Sequence, residues 1–268
     1  MSQQETVQRF VDACAGDPDI TAAFLGGSHA AGMADPFSDL DLYVITTDEG
    51  YDRFFDRRRE LLQRLGHPVF AEDFSGFGFD MLLFILSDGV DGELAFARAS
   101  RFTHIHGGPF QVLVDKQGIL RGVEFPLFRP DASAQRQALR ELLVSFWRDA
   151  WQFSKAMARA QVWSAQGGLE RMRRAVMNLM RLQADFSAAA EGYSKVDHVL
   201  GAKVLATLED TVCPLETDAM WRAARKLGGL CRDIGTDLAR RQSVDYPSAL
   251  DGVVSDRWPG SPHTVRDD

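Results

Sequence analysis

The apolar residues of this chain follow two periods, and the change from one to the other near Ser133 restricts the fold more than any single motif. Before it, "SDLDLYVIT" alternates, with Asp39, Asp41 and Tyr43 on one side and Leu40, Leu42 and Val44 on the other, as a half-buried strand does. "ITAAFLGGS" reads as a short strand ending at glycines. "FDMLLFILSDGVDGELAFARAS" gives two apolar runs around a Gly- and Asp-rich turn, a hairpin pattern, and "PFQVLVDKQGIL" adds a strand. Helices are expected over residues 4 to 14 and in "YDRFFDRRRELLQRLG". Beyond Ser133 the spacing is helical: Leu139, Leu142, Leu143, Phe146, Ala150, Phe153 and Met157, then Met172, Val176, Leu179 and Phe186, then Trp221, Ala224, Leu227, Cys231 and Ile234. The expected fold is therefore α/β: a small mixed sheet over residues 1–130, a helical bundle over 131–243 and an irregular, proline-containing tail over 244–268. The boundary falls in "LFRPDASAQ", and the helical half is expected to close one side of a cleft.

Composition narrows the function. The 268 residues carry a formal charge of -8, with no basic stripe, which argues against binding nucleic acid. No apolar run approaches the roughly 18 residues needed to span a bilayer, so no membrane partner is expected. Cys14, Cys213 and Cys231 lack disulfide or zinc-ligand spacing, and the N-terminus lacks the pattern of a secretory signal. A cytoplasmic protein fits best, and a homodimer is left open.

The densest chemistry lies in "FLGGSHAAGMADPFSDLDLYVI". Phosphate approached by backbone N–H groups needs neighbours without bulky side chains, and a glycine pair before a helix supplies that room. Ser28 adds a hydroxyl. Asp39 and Asp41, at i and i+2 on a strand, project from one face about 7 Å apart, and two such anions call for a cation between them. Mg²⁺ takes one or two carboxylates beside phosphate oxygens and water. A third carboxylate would complete a two-metal site; Glu93, after a tight turn on a neighbouring strand, is the first candidate and Asp80 the second.

Gly-Ser, about ten residues, then Asp-x-Asp on a strand and a later strand carboxylate resembles the nucleotidyltransferase superfamily of polymerase-beta type. The "GELAFA" strand, "VLVDKQG" and the Arg-, Trp- and Phe-rich second half are similar to antibiotic nucleotidyltransferases, most closely the lincosamide type and more distantly the aminoglycoside adenylyltransferases. The resemblance implies that Gly27 and Ser28 hold a triphosphate and that Asp39, Asp41 and Glu93 bind Mg²⁺, with two ions expected. It further implies transfer of a nucleoside monophosphate from ATP or another NTP to a hydroxyl of a small molecule, a lincosamide or aminoglycoside antibiotic. The partners would then be a nucleotide and a small-molecule acceptor. The chain departs from the lincosamide pattern at "RAQVW", where Gln161 replaces a carboxylate, and at His29 after the glycine pair and serine.

Other features have plainer readings. His104 and His106 in "THIH" are expected at the surface on one strand face. Trp147, Trp151 and Trp163, with Phe146 and Phe153, are mostly helix core, one or two walling an acceptor pocket; Trp151 and Trp163 are the ones expected to touch the acceptor. Lys155, Arg159, Arg173 and Arg174 could reach phosphates, and Asp149 and Glu170 could act as bases. Rival functions are nucleotidylation of protein or RNA, and a non-catalytic nucleotide-binding or antitoxin-like module.

Overall fold

The structure is a computed structural model describing residues 2–187 and 192–259. The chain forms two compact units, residues 1–128 and 129–268.

The first unit opens with α1 (Gln3–Gly16), capped reciprocally by Ser2 and Glu5. There follow β1 (Ile20–Leu25), α2 (Gly27–Ala30), β2 (Leu40–Thr46), α3 (Tyr51–Asp56), α4 (Arg58–Leu65), β3 (Pro68–Phe74), β4 (Asp80–Leu86), β5 (Asp91–Arg98) and β6 (Gln111–Asp115). The strands make one six-stranded sheet in the order β3-β4-β5-β2-β1-β6. It is mixed: β2 and β5 run parallel, whereas the other neighbours are antiparallel. Alternation assigns the faces. Leu40, Leu42, Val44, Leu82, Leu94 and Phe96 pack with Phe10, Leu61 and Leu62 of the helices. Phe24, Ile45, Ala97, Phe102 and Phe125 pack on the opposite side, with Tyr43 and Phe79 against them.

Three local expectations are corrected. The helix expected over 51–66 is two helices, because the backbone leaves helical geometry at Arg57 (φ -109°, ψ 13°), whose guanidinium reaches Asp17 and Asp19. β3 has no counterpart in the sequence reading: it is an edge strand, and with Val69 and Phe70 exposed it lacks the alternation that marks a half-buried one. "THIH" lies outside any strand.

The second unit contains α5 (Ala132–Ala158), α6 (Val162–Ala184), α7 (Val196–Val199), α8 (Ala202–Glu209), α9 (Thr217–Gln242) and α10 (Ser248–Ser255). Leu139, Phe146, Trp147, Phe153, Met172, Leu179, Leu227 and Cys231 interlock as its core. The stretch from Val244, expected to be irregular, holds α10. Pro247 stands just before the helix, where its missing N–H leaves no intrahelical bond unmade. Val254 is fully buried in the core and Asp251 pairs with Arg232 of α9. Among the described residues, no helix is long and apolar enough to cross a membrane.

Candidate active site

The site is built where β1, β2 and β5 lie side by side. β1 ends at Leu25, and the Gly26 N–H donates to the Asp41 carbonyl (2.9 Å), tying the glycine pair to the second strand. A side chain at Gly26 would meet the Tyr43 ring at 2.8 Å and the His106 ring at 2.7 Å. One at Gly27 would overlap the Asp41 carboxylate at 1.7 Å, and Gly27 also has the left-handed φ of 55° that other residues avoid. The glycines thus let a carboxylate and two rings press against bare backbone. The helix they introduce, α2, is one turn long, so the favourable helix-dipole end foreseen from sequence is reduced to a single turn. Ser28 follows, and its buried Oγ finds no hydrogen-bond partner among the described residues.

Asp41 and Glu93 are direct register partners across the parallel β2–β5 pair. They consequently emerge on the same face, and Tyr43, two residues after Asp41, shares it. The pairing depends on Gly92, where an added Cβ would sit 2.3 Å from the Leu40 carbonyl. Asp39 stands one residue before β2, not on it, and is exposed. Burial, followed by the charge of Asp39, pushes the Glu93 carboxyl above the ordinary glutamate range. Burial, then the charges of Asp41 and Glu93, does the same to the Tyr43 phenol.

Among the described residues, no three His, Cys, Asp or Glu form a ready-made metal-binding group. The donors nevertheless suit a hard divalent cation. They are all carboxylate oxygens, and a cation would offset the burial and the Asp39 charge that together lift Glu93. The unpartnered hydroxyl of Ser28 and the bare backbone of Gly27 fit phosphate oxygens.

Other expected candidates serve elsewhere. Asp80 accepts a hydrogen bond from the Tyr51 hydroxyl (2.8 Å). His104 meets the Phe79 ring edge-on, but His106 is buried, contrary to expectation. It packs edge-on against Phe24, Tyr43 and Phe125, with Nε2 3.0 Å from the Pro109 carbonyl. Burial holds its pKa below the usual histidine value. In the second unit, Asp149 binds Arg171 (2.7 Å), and Glu170 engages Arg173 and Tyr193. Arg173 is itself buried against Thr211. Phe146, Trp147 and Phe153 are core, whereas Trp163 is 78% exposed. Gln161 precedes α6 as its cap residue.

Sequence reasoning missed Gly92 and the bracing role of His106. Gly92 could have been noticed as the neighbour of Glu93, but His106 depends on a loop returning under the glycine pair, which no local pattern reveals.

Among curated proteins, none matches. Several solved structures are similar at low identity. An aminoglycoside 6-adenyltransferase from Bacillus subtilis is 17% identical, with 96% of this chain and 97% of that one covered and a TM-score of 0.46. A nucleotidyltransferase-like protein from Exiguobacterium sibiricum 255-15 is 11% identical, with 88% and 77% covered and a TM-score of 0.39. The family model described as streptomycin adenylyltransferase matches residues 1–256. With a match running from the glycine pair and the carboxylate strands through α10, the chain belongs to the streptomycin adenylyltransferase family and is a nucleotidyltransferase enzyme.

Proposed function

We propose that this enzyme transfers a nucleoside monophosphate, AMP from ATP in the first instance, to a hydroxyl of a cationic aminoglycoside of the streptomycin kind. The observation that carries this reading is the register pairing of Asp41 with Glu93 beside the bare backbone of Gly27. The family description moves the acceptor from the lincosamide-like compound favoured by sequence towards an aminoglycoside.

In the proposed reaction the acceptor hydroxyl oxygen forms a bond to the α-phosphorus, the bond to pyrophosphate breaks, and the hydroxyl proton is released. Gly26 and Gly27 leave room for the phosphates, and Ser28 donates its hydroxyl to them. Asp39, Asp41 and Glu93 would hold Mg²⁺, which when bound neutralises charge on the phosphate oxygens. Tyr43, two residues after Asp41, stacks on Phe24 at 4.4 Å with ring planes 3° apart.

The test is pyrophosphate release with ATP, Mg²⁺ and streptomycin. Asp41→Asn and Asp39→Asn should each lower turnover by about a thousandfold, since an amide of similar shape lacks the charge a metal needs. The thermal midpoint should stay within a few degrees. Wild-type turnover in either variant would remove that residue from the site.

A further inference from the structure

Gly26 is a glycine for want of space. Its backbone is extended (φ -109°, ψ -154°), a conformation any residue adopts, yet a Cβ there would lie 2.7 Å from His106 Cε1 and 2.8 Å from Tyr43 Cε2. Two of the holds on this residue come from β2: the Asp41 carbonyl accepts its N–H, and the Tyr43 ring lies against it. The third comes from the connection between β5 and β6, which carries His106. That imidazole is only 5% exposed, with Phe24, Tyr43 and Phe125 edge-on around it. A carbonyl oxygen can only accept, so Nε2 donates to Pro109 at 3.0 Å. The bond fixes the ring with its Cε1 and Nδ1 atoms towards Gly26.

We propose that His106 is a positioning residue for the nucleotide: its imidazole edge sets how deep the glycine pair sits, and with it the spacing between the phosphate-binding residues Gly27 and Ser28 and the carboxylates of Asp41 and Glu93. The inference rests on the nucleotidyl-transfer reading above and adds to it a residue that touches no substrate. Two observations favour positioning over packing alone. Gly26 is the cap residue of α2, so Gly27 and Ser28 follow wherever it rests. The ring also meets the chain at a point where every side chain is excluded, and its own hydrogen bond holds it to that contact. In-line transfer depends on such spacing, because reacting atoms held slightly out of place lose much of the rate.

The experiment titrates a non-hydrolysable ATP analogue with Mg²⁺ against wild type, His106→Ala, His106→Gln, Gly26→Ala, the double variant of the two alanines, and Phe125→Leu, with chemical denaturation of each alongside. Phe125 packs on the same imidazole, but the atoms nearest a side chain at Gly26 belong to His106 and Tyr43. It therefore reports what loosening the cluster does by itself. His106→Ala and Gly26→Ala should each weaken the analogue about tenfold, whereas Phe125→Leu should lose stability yet bind within about twofold of wild type. Glutamine, whose amide can still donate to Pro109, should recover most of the affinity. The losses in the double variant should fall short of their product, because removing the imidazole leaves room for the alanine Cβ. Equal weakening in His106→Ala and Phe125→Leu would reduce His106 to packing, and losses that multiply would mean that it does not act through Gly26; either overturns the assignment. So would glutamine no better than alanine, wild-type affinity in His106→Ala, or, should that variant not fold, wild-type affinity in Gly26→Ala. If wild type itself does not bind the analogue, the nucleotidyl-transfer reading fails together with this one; binding by wild type that the variants leave unchanged removes this one alone.

Discussion

The candidate site of the first unit and the arginine network of the second handle their polar groups in opposite ways. In residues 129–268, buried Arg173 and Arg181 and the partly exposed Arg232 are matched to partners: Arg173 to Thr211 and Glu170, Arg181 to the Gly192 carbonyl (3.1 Å), and Arg232 to Asp251 (2.8 Å). Asp251 also accepts from Tyr246 (2.9 Å), and Tyr246 in turn accepts from the Trp147 indole (3.0 Å). In residues 1–128, like charges are crowded at Asp39 and Glu93, Ser28 Oγ has no protein partner among the described residues, and glycines replace side chains where the chain must be thin. A polar network closed on itself is scaffold. One left short of partners and overloaded with one sign of charge is arranged for something that arrives from outside.

Substitutions can break this contrast from either side. After the aspartate variants above, the largest expected effect is at Gly27, where alanine would have to adopt left-handed backbone and displace the Asp41 carboxylate. Gly27→Ala should reduce turnover about a hundredfold at saturating nucleotide, with a stability loss of about 1–2 kcal/mol. Pyrophosphate release and chemical denaturation measure the two effects, and a stability loss without an activity loss would make Gly27 merely structural.

In the second unit the order of effects should invert. Asp251→Ala strands Arg232 and Tyr246 and should cost about 2 kcal/mol of stability, the partial exposure of Arg232 keeping the loss below that of a fully buried pair. The KM for ATP should not move. A change in KM with unchanged denaturation would break the division between scaffold and site.

The smallest effect on stability concerns Glu93. Its folded-state pKa is raised, so its contribution to stability is fully present below the ordinary glutamate pKa and is lost as pH rises through the raised value. Glu93→Gln removes that loss. Without divalent metal at neutral pH it should raise the melting midpoint by about 2 °C, with the difference vanishing in acid below the ordinary glutamate range, while activity with Mg²⁺ falls sharply. A lower midpoint at neutral pH would mean that Glu93 is a favourable structural charge.

What the sequence disclosed and what it hid follow the range of the interactions. β2 was legible because Leu40, Leu42 and Val44 alternate with polar neighbours, and the β4–β5 hairpin because "SDGVDG" marks its turn. The long helices were legible because their buried faces repeat at helical spacing. β3 was not, since Val69 and Phe70 face water and break the expected pattern. The partnership of Asp41 with Glu93 is a pairing between distant strands, which composition and spacing do not encode. Trp147 and Trp163 looked alike as helix aromatics, yet the first is fully buried and the second exposed, a distinction set by helix packing.

The parallel pairing of β2 with β5 also bears on how the enzyme assembles and responds to its substrates. β1–β2 and β4–β5 are antiparallel neighbours in sequence and can each close locally, but Asp41 meets Glu93 only when one hairpin docks on the other across the intervening helices. That long closure brings a large loop entropy and a slow step in folding. Any ligand that grips both strands opposes the separation of the two hairpins by mass action. A ligand held by both Asp41 and Glu93 would therefore protect the fold at the seam between the two hairpins.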